Sequence, residues 1–400
     1  MFEDLGLVYY GPIDGHDTEK MIKTLNAVKD IKAPVIVHIA TVKGKGYEPA
    51  EKDPANYHGV GPFDLETGIR TCSKTTFTSA FASALEEEAD NNKNVIAVCA
   101  AMAHGTGLTG FAKKFPDRFF DCGIAEEHCV TMASGLAISG FTPVVAIYSS
   151  FLQRAYDEIV HDCCFMDNHV VFAIDRAGFV GNDGHTHNGL HDISYLNSMP
   201  GMTILSPRDY THLKMSMDYA VNVVKGPVSI RYPRGASPYE DDGPLYKDMS
   251  LISKPHVVSD DGDDYVIIST GLFSKECEKT ADILSERGYK GRVVSLTVLK
   301  PLNSSDIMDV IGKARFVFTG EEGILSGGFG ENLKLALTRA GYDGTVDNFA
   351  VEDQMIRAGT VDQQLKCAGL DAVSMADRIE STIRRNTKGD SEFIRMIQET

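Results

Sequence analysis

Short β-branched runs alternate with helical stretches from Thr75 to about residue 340, and no other feature constrains the fold of this 400-residue chain as tightly. Val95–Ala100, Pro143–Tyr148, His169–Asp175, Thr203–Leu205 and Val228–Tyr232 read as strands. Between and around them, Thr76–Asn91, Glu126–Ser139, Phe151–Asp162 and Asp209–Val224 read as helices. Strands separated by helices predict a parallel sheet covered on both faces. A polar stretch with Pro and Gly, Ser237–Pro255, reads as a linker. A second series follows: strand Tyr265–Ser269, helix Lys275–Arg287, strands Val293–Thr297 and Phe316–Thr319, and helix Glu331–Ala340.

The beginning of the chain has a different character. Leu7–Tyr10 reads as a strand and Gly11–Asp17 as a turn. Asp17 or Thr18 is placed to cap a helix to about Lys29, and Pro34–Ala40 reads as a buried strand. That is too little material for a sheet of its own, so it reads as the tail of an α/β domain whose body lies upstream. Lys43–Asp64, rich in Gly, Pro and charge, reads as a long linker or functional loop. The expected boundaries are 1–70 for tail and linker, 71–240 for the first complete domain and 256–395 for the second.

Charge narrows the function classes. With 39 Lys+Arg against 56 Asp+Glu the net charge is −17, which disfavours a general nucleic-acid binder. No apolar run reaches the roughly 18–20 residues that span a bilayer. Met1–Leu5 lacks a basic segment followed by an apolar core, so no signal peptide is read there and a cytoplasmic location is expected. The 8 cysteines form no CxxC pair and read as reduced, mostly buried thiols.

In parallel sheets ligands sit beyond the carboxyl ends of the strands. The polar clusters fall there: Tyr148-Ser149-Ser150, Asp175-Arg176-Ala177-Gly178, Ser206-Pro207-Arg208, and Arg231-Tyr232-Pro233-Arg234-Gly235. Several arginines at one edge of an acidic protein predict an anion site, because a guanidinium binds phosphate or carboxylate through two parallel donors. His185, His187 and His191 also raise the question of a metal, but their spacing lacks a dependable zinc geometry and no metal ligands are assigned.

Phe119–His128, with the sequence Phe-Phe-Asp-Cys-Gly-Ile-Ala-Glu-Glu-His, resembles the pyrimidine-binding segment of transketolase-like thiamine diphosphate enzymes. Tyr148–Asp157, Asp175–Gly178 with Gly181–His187, and Arg231–Gly235 resemble the 1-deoxy-D-xylulose-5-phosphate synthase family more narrowly. Gly11–Asp17 and Lys43–Glu51 match the same family, so the resemblance spans nearly the whole chain. It implies an α/β fold with two doubly wound domains, the pyrimidine-binding domain and the transketolase C-terminal domain, plus the tail of an N-terminal α/β domain. It also implies condensation of pyruvate with glyceraldehyde 3-phosphate, release of carbon dioxide, thiamine diphosphate and Mg²⁺ as cofactors, and a homodimer. The product feeds isoprenoid, thiamine and pyridoxal synthesis.

The resemblance carries roles onto individual residues. Glu126 matches the carboxyl that hydrogen-bonds the cofactor's pyrimidine ring nitrogen, Phe151 the aromatic stacked on that ring, and Met102 the residue behind the thiazolium. Tyr148, Arg176 and Arg234 match a phosphate clamp, and Arg154 a substrate-site arginine. Asp183, His187 and the linker residue His58 match polar groups that reach the substrate. Gly327–Asn332 is expected to open a helix whose free amides can bind an anion, with a structural and dimer-contact role favoured for that domain. One departure is large. The family's Gly-Asp-Gly motif and the later Asn that hold magnesium are absent from these 400 residues. The chain therefore reads as the C-terminal two-thirds of a synthase, with the Mg²⁺ ligands expected in a missing N-terminal domain or a separate diphosphate-binding chain. The alternatives are the C-terminal subunit of a split transketolase and a non-catalytic paralogue.

Overall fold

The chain divides into two units, Met1–Ser73 and Lys74–Thr400. The structure is a computed structural model that describes residues 1–61, 63–68, 74–239 and 252–398. Most of the expected linker after Ser237 lies outside the described residues.

In the smaller unit, β1 (Val8–Asp14) and β2 (Val35–Ala40) form a parallel pair joined by the helix Thr18–Val28. Asp17 caps that helix by accepting the Lys20 amide at 2.9 Å. Two expectations need correcting. The segment read as a turn from Gly11 continues β1 to Asp14, through a register shift between Tyr10 and Ile13. Val35–Ala40 is half-buried to exposed rather than buried, because only β1 flanks it in a two-stranded sheet. The following stretch is locally organised, with Tyr57 edge-on to both Tyr47 and Phe63.

In the larger unit the first series supplies β3 (Val95–Cys99), β4 (Phe119–Asp121), β5 (Thr142–Tyr148), β6 (Val171–Asp175), β7 (Thr203–Leu205) and β8 (Val228–Arg231). The second supplies β9 (His256–Asp260), β10 (Tyr265–Thr270), β11 (Gly291–Leu296), β12 (Val298–Lys300), β13 (Phe316–Ile324) and β14 (Thr345–Val351). The seven-stranded sheet has the order β12-β7-β8-β6-β5-β3-β4, and the five-stranded sheet β14-β13-β10-β11-β9. All neighbours from β7 to β4 are parallel, so their carboxyl ends share one edge. The strand read as Val293–Thr297 splits at its end. β11 stays in the five-stranded sheet, while β12 crosses to pair antiparallel with β7 in the other.

Each face of the seven-stranded sheet is covered because the strands are apolar on both sides. Phe77, Phe81 and Leu85 of the helix Phe77–Asn91 pack on one face with Val95, Ala97 and Ile230. Thr76 and Ser79 close that helix start in a capping box. On the other face, Cys129, Val130 and Ala133 of the helix Glu126–Ile138 join Val145 and Phe172. Ile268, Val294 and Leu333 of the second series belong to this same cluster, so one core serves both sheets. The predicted helix Phe151–Asp162 is instead broken into an α turn Ser149–Leu152, a 3-10 turn Gln153–Ala155, a short α turn and a π turn ending at Cys164. Cys99, Cys129, Cys163, Cys164 and Cys277 are buried free thiols, Cys122 is half-buried and Cys367 is exposed.

Candidate active site

The edge formed by the carboxyl ends of β4, β3, β5, β6 and β8 carries the expected groups. The chain leaves β3 toward β4 and leaves β5 toward β6, so the crevice between β3 and β5 is where the winding reverses and where such sheets bind ligands.

Four side chains form a continuous stack at that crevice. Tyr148, at the end of β5, is 6% exposed, and its ring stacks on Phe151 at 5.7 Å with 16° between planes. His187 lies edge-on to Phe151 at 5.3 Å. On the other side the Arg176 guanidinium carbon lies 4.3 Å from the Tyr148 ring centroid, a cation–π contact. Burial pushes the Tyr148 phenol up to about 12, partly opposed by Arg176, so it remains a hydroxyl donor at neutral pH.

Arg176 is held tightly. Its Nη1 donates to Thr78 Oγ1 and to the Gly105 carbonyl, both at 3.0 Å, and lies 3.0 Å from Asp175 Oδ1. Asp175 is fully buried and also accepts the Arg176 amide at 2.7 Å and the Thr78 hydroxyl at 2.8 Å. Arg176 has φ +59, a left-handed conformation that costs a non-glycine residue about 1–2 kcal/mol and therefore needs such support. Its Nε is buried with no partner among the described residues, a donor available to an anion. Gly189 packs so closely beneath that an added Cβ would lie 2.2 Å from the Arg176 carbonyl oxygen and 2.6 Å from Ser149 Cβ.

Glu126 is the first residue of its helix, 4% exposed, and its start has no side-chain cap. Its Oε2 is buried and has no hydrogen-bond partner among the described residues. Arg154 Nε approaches this oxygen to 3.7 Å and Glu127 Oε1 to 4.0 Å, so Arg154 sits between the two glutamates. Adjacent residues in a first helical turn can both reach one long guanidinium arm.

Asp183 and Arg234 form an ion pair at 2.8 Å, with Arg234 partly exposed. Met102 is half-buried after β3, and its methyl lies 2.9 Å from where a Gly105 Cβ would stand, beside the Tyr148 hydroxyl at 2.4 Å from the same point. His58 belongs to the Met1–Ser73 unit, where it is exposed with Nδ1 2.7 Å from Lys43 Nζ. The helix start at Gly327–Asn332 is already occupied by a side-chain carboxyl of the chain itself. Glu321 accepts the amides of Phe329 at 2.9 Å and Gly330 at 2.8 Å, which corrects the expectation of an open anion site there. Thr78 and Gly105 also support the site and were not singled out from sequence. Neither carries a local signal, whereas Asp175 was legible from its place at the end of a strand before Arg176.

The chain matches the family models for the transketolase pyrimidine-binding domain over residues 73–239 and the transketolase C-terminal domain over 254–375. Residues 1–41 match the 1-deoxy-D-xylulose-5-phosphate synthase model. The synthase of Natranaerobius thermophilus is 43% identical over 390 residues, covering 96% of this chain and 61% of that protein. That of Aquifex aeolicus is 41% identical over 391 residues, covering 97% of this chain and 61% of that protein. The chain belongs to the 1-deoxy-D-xylulose-5-phosphate synthase family, within the transketolase-like enzymes. It spans about 60% of the length of these curated relatives. Among solved structures, a chain described as a split gene transketolase, inactive beta4 tetramer, superposes with a TM-score of 0.68 at 25% identity, covering 78% of this chain and 99% of that one. A transketolase from Pichia stipitis shares the fold with a TM-score of 0.66 at 14% identity, covering 80% of this chain and 47% of that one.

The family's cofactor is thiamine diphosphate, and the residues fit its pyrimidine end. The buried Glu126 carboxyl oxygen without a hydrogen bond and the half-buried Phe151 ring, both on the carboxyl edge of the sheet, are the hydrogen-bonding and stacking groups that an aminopyrimidine ring takes. Among the described residues no three His, Cys, Asp or Glu side chains converge as a metal-holding group, and no helix is long and apolar enough to cross a membrane.

Proposed function

We propose that this chain supplies the pyrimidine-binding and substrate-binding part of an enzyme that condenses pyruvate with glyceraldehyde 3-phosphate to 1-deoxy-D-xylulose 5-phosphate and carbon dioxide. The observation that carries this reading is the buried Oε2 of Glu126, without a hydrogen bond among the described residues, at the winding-reversal edge. Thiamine diphosphate, when bound, supplies a carbon nucleophile and an electron sink for loss of carbon dioxide. Glu126 holds a hydrogen bond, and in turn a proton, at Oε2 toward the ring nitrogen of the aminopyrimidine. Phe151 covers that ring and Met102 backs the thiazolium. Tyr148 and Arg176 present a hydroxyl and an unused Nε donor to the phosphate dianion, with Arg234 closing on it. Arg154 binds the pyruvate carboxylate. His187 and Asp183 orient the substrate oxygen and move its proton. The diphosphate and Mg²⁺ are held by residues outside these 400, in a homodimeric enzyme of the cytoplasm.

The test is pyruvate-dependent carbon dioxide release by the purified chain with thiamine diphosphate and Mg²⁺, with and without an added diphosphate-binding domain from a relative. Retention of full reconstituted activity in Glu126→Ala overturns the assignment. An unchanged apparent affinity for glyceraldehyde 3-phosphate in Arg234→Ala overturns the clamp.

A second reading is a two-chain enzyme of transketolase type with this chain as the C-terminal subunit. The match to 99% of the split-gene chain favours it. Transfer from a ketose phosphate donor, without pyruvate and without carbon dioxide release, would select that reading.

A further inference from the structure

Resting on the synthase reading, we infer that Gln364, in the second α/β series, is a positioning residue that holds the Gly181–Asn188 loop, and with it Asp183 and His187, in working geometry. Gln364 lies on the helix Val361–Ala368 and is 2% exposed. Its Oε1 accepts the Gly181 amide at 2.9 Å. Its Nε2 donates to the Arg357 carbonyl at 3.0 Å and toward Asn188 Oδ1 at 3.4 Å. Asn188, at the far end of the loop and 9% exposed, closes the ring of bonds. Its Oδ1 accepts the Val180 amide at 3.1 Å, and its Nδ2 donates to the Ile356 carbonyl at 3.3 Å.

Both ends of the loop are therefore tied to one buried amide pair, and that pair is tied to Ile356 and Arg357. Every amide orientation is set by a backbone partner that can act only as donor or only as acceptor. Within the loop, the two turns Gly181–Asp183 and His185–His187 meet at Gly184, with φ +95. They have few anchors of their own. Asp183 reaches Arg234, and His187 reaches the Phe151 face. Releasing the ends would leave both side chains on a segment free to move, while Tyr148 and Arg176 stay fixed by β5, Thr78 and Asp175.

The variants are Gln364→Leu, which removes donor and acceptor, and Gln364→Glu, which keeps the acceptor and donates only when protonated. In the full chain, Gln364→Leu is expected to speed hydrogen exchange of the 181–188 amides at least about tenfold, as loss of buried hydrogen bonds requires, while β10 amides are unchanged. In the reconstituted enzyme kcat is expected to fall about tenfold or more, with the KM for glyceraldehyde 3-phosphate within about threefold. Gln364→Glu is expected to regain loop protection and kcat, relative to wild type, as pH is lowered and its carboxyl protonates. Unchanged loop exchange, acceleration spread over the whole unit, or a loosened loop with wild-type kcat each overturn the inference. Absence of synthase activity in the wild-type reconstitution overturns the functional reading instead, and the exchange measurement still decides whether Gln364 holds the loop.

Discussion

Glu126→Met is expected to make the chain more stable. In the folded state the Glu126 carboxyl is 4% exposed, and one oxygen has no hydrogen bond among the described residues. Leaving a buried polar group unpaired costs about 1–3 kcal/mol. Two terms oppose the change. A negative charge in a first helical turn gains about 0.3–1 kcal/mol from the helix dipole. Arg154, 3.7 Å away with 54% of its side chain exposed, adds less than about 1 kcal/mol because solvent screens it. Methionine has similar length and no polar group to orphan. The balance is a gain of about 1–2 kcal/mol, a rise in midpoint of about 2–6 °C. Thermal and urea unfolding of the chain without cofactor measure it, with Glu127→Met as control. Glu127 is 44% exposed, and its replacement is expected to stay within about 0.5 kcal/mol. The gain in stability should accompany loss of reconstituted activity. A destabilisation of more than about 1 kcal/mol would show that the carboxyl supports the fold, and would refute its assignment to ligand binding.

Arg231, 5% exposed, pairs with fully buried Asp192 at 2.9 Å and donates to the Glu322 carbonyl at 3.0 Å. Arg231→Met should cost about 3–5 kcal/mol in denaturant unfolding, and Arg231→Met with Asp192→Leu should recover most of it, because the unpaired buried charge is then gone. Arg176→Ala should weaken inorganic phosphate binding about tenfold or more by calorimetry, since charge-assisted hydrogen bonds contribute about 1.5–3 kcal/mol. Burial pushes Glu321 and Glu322 up from 4.5 to about 7. A carboxyl whose folded pKa is raised binds its proton more tightly when folded. The stability it contributes is therefore full below pH 4.5 and is lost as pH rises through about 7. Glu322→Gln should flatten the fall in unfolding midpoint between about pH 5 and about pH 8; an unchanged slope would assign that dependence to other groups.

The legible part of the site was local in sequence. Tyr148 with Phe151, Asp175 with Arg176, and Arg231 with Arg234 each follow a strand within a few residues, so the strand pattern alone places them on one edge. What escaped was contact between distant segments. Arg176 keeps its left-handed backbone because Thr78 and Gly105, from other parts of the chain, receive its guanidinium. The helix start at Phe329 takes no outside anion because Glu321 reaches its amides. β12 leaves its own series because β7 has an open edge that hydrogen-bonds it.

By itself, the sequence determined the doubly wound class, the polar edge and the identity of the groups on it, because period and strand-end chemistry are properties of neighbouring residues. Only the tertiary structure decided that Glu126 is buried with an unused oxygen, that four side chains stack from His187 to Arg176, and that Gln364 ties down the loop carrying Asp183 and His187. Burial and hydrogen-bond satisfaction depend on which distant segments close over a group, and no local pattern encodes that.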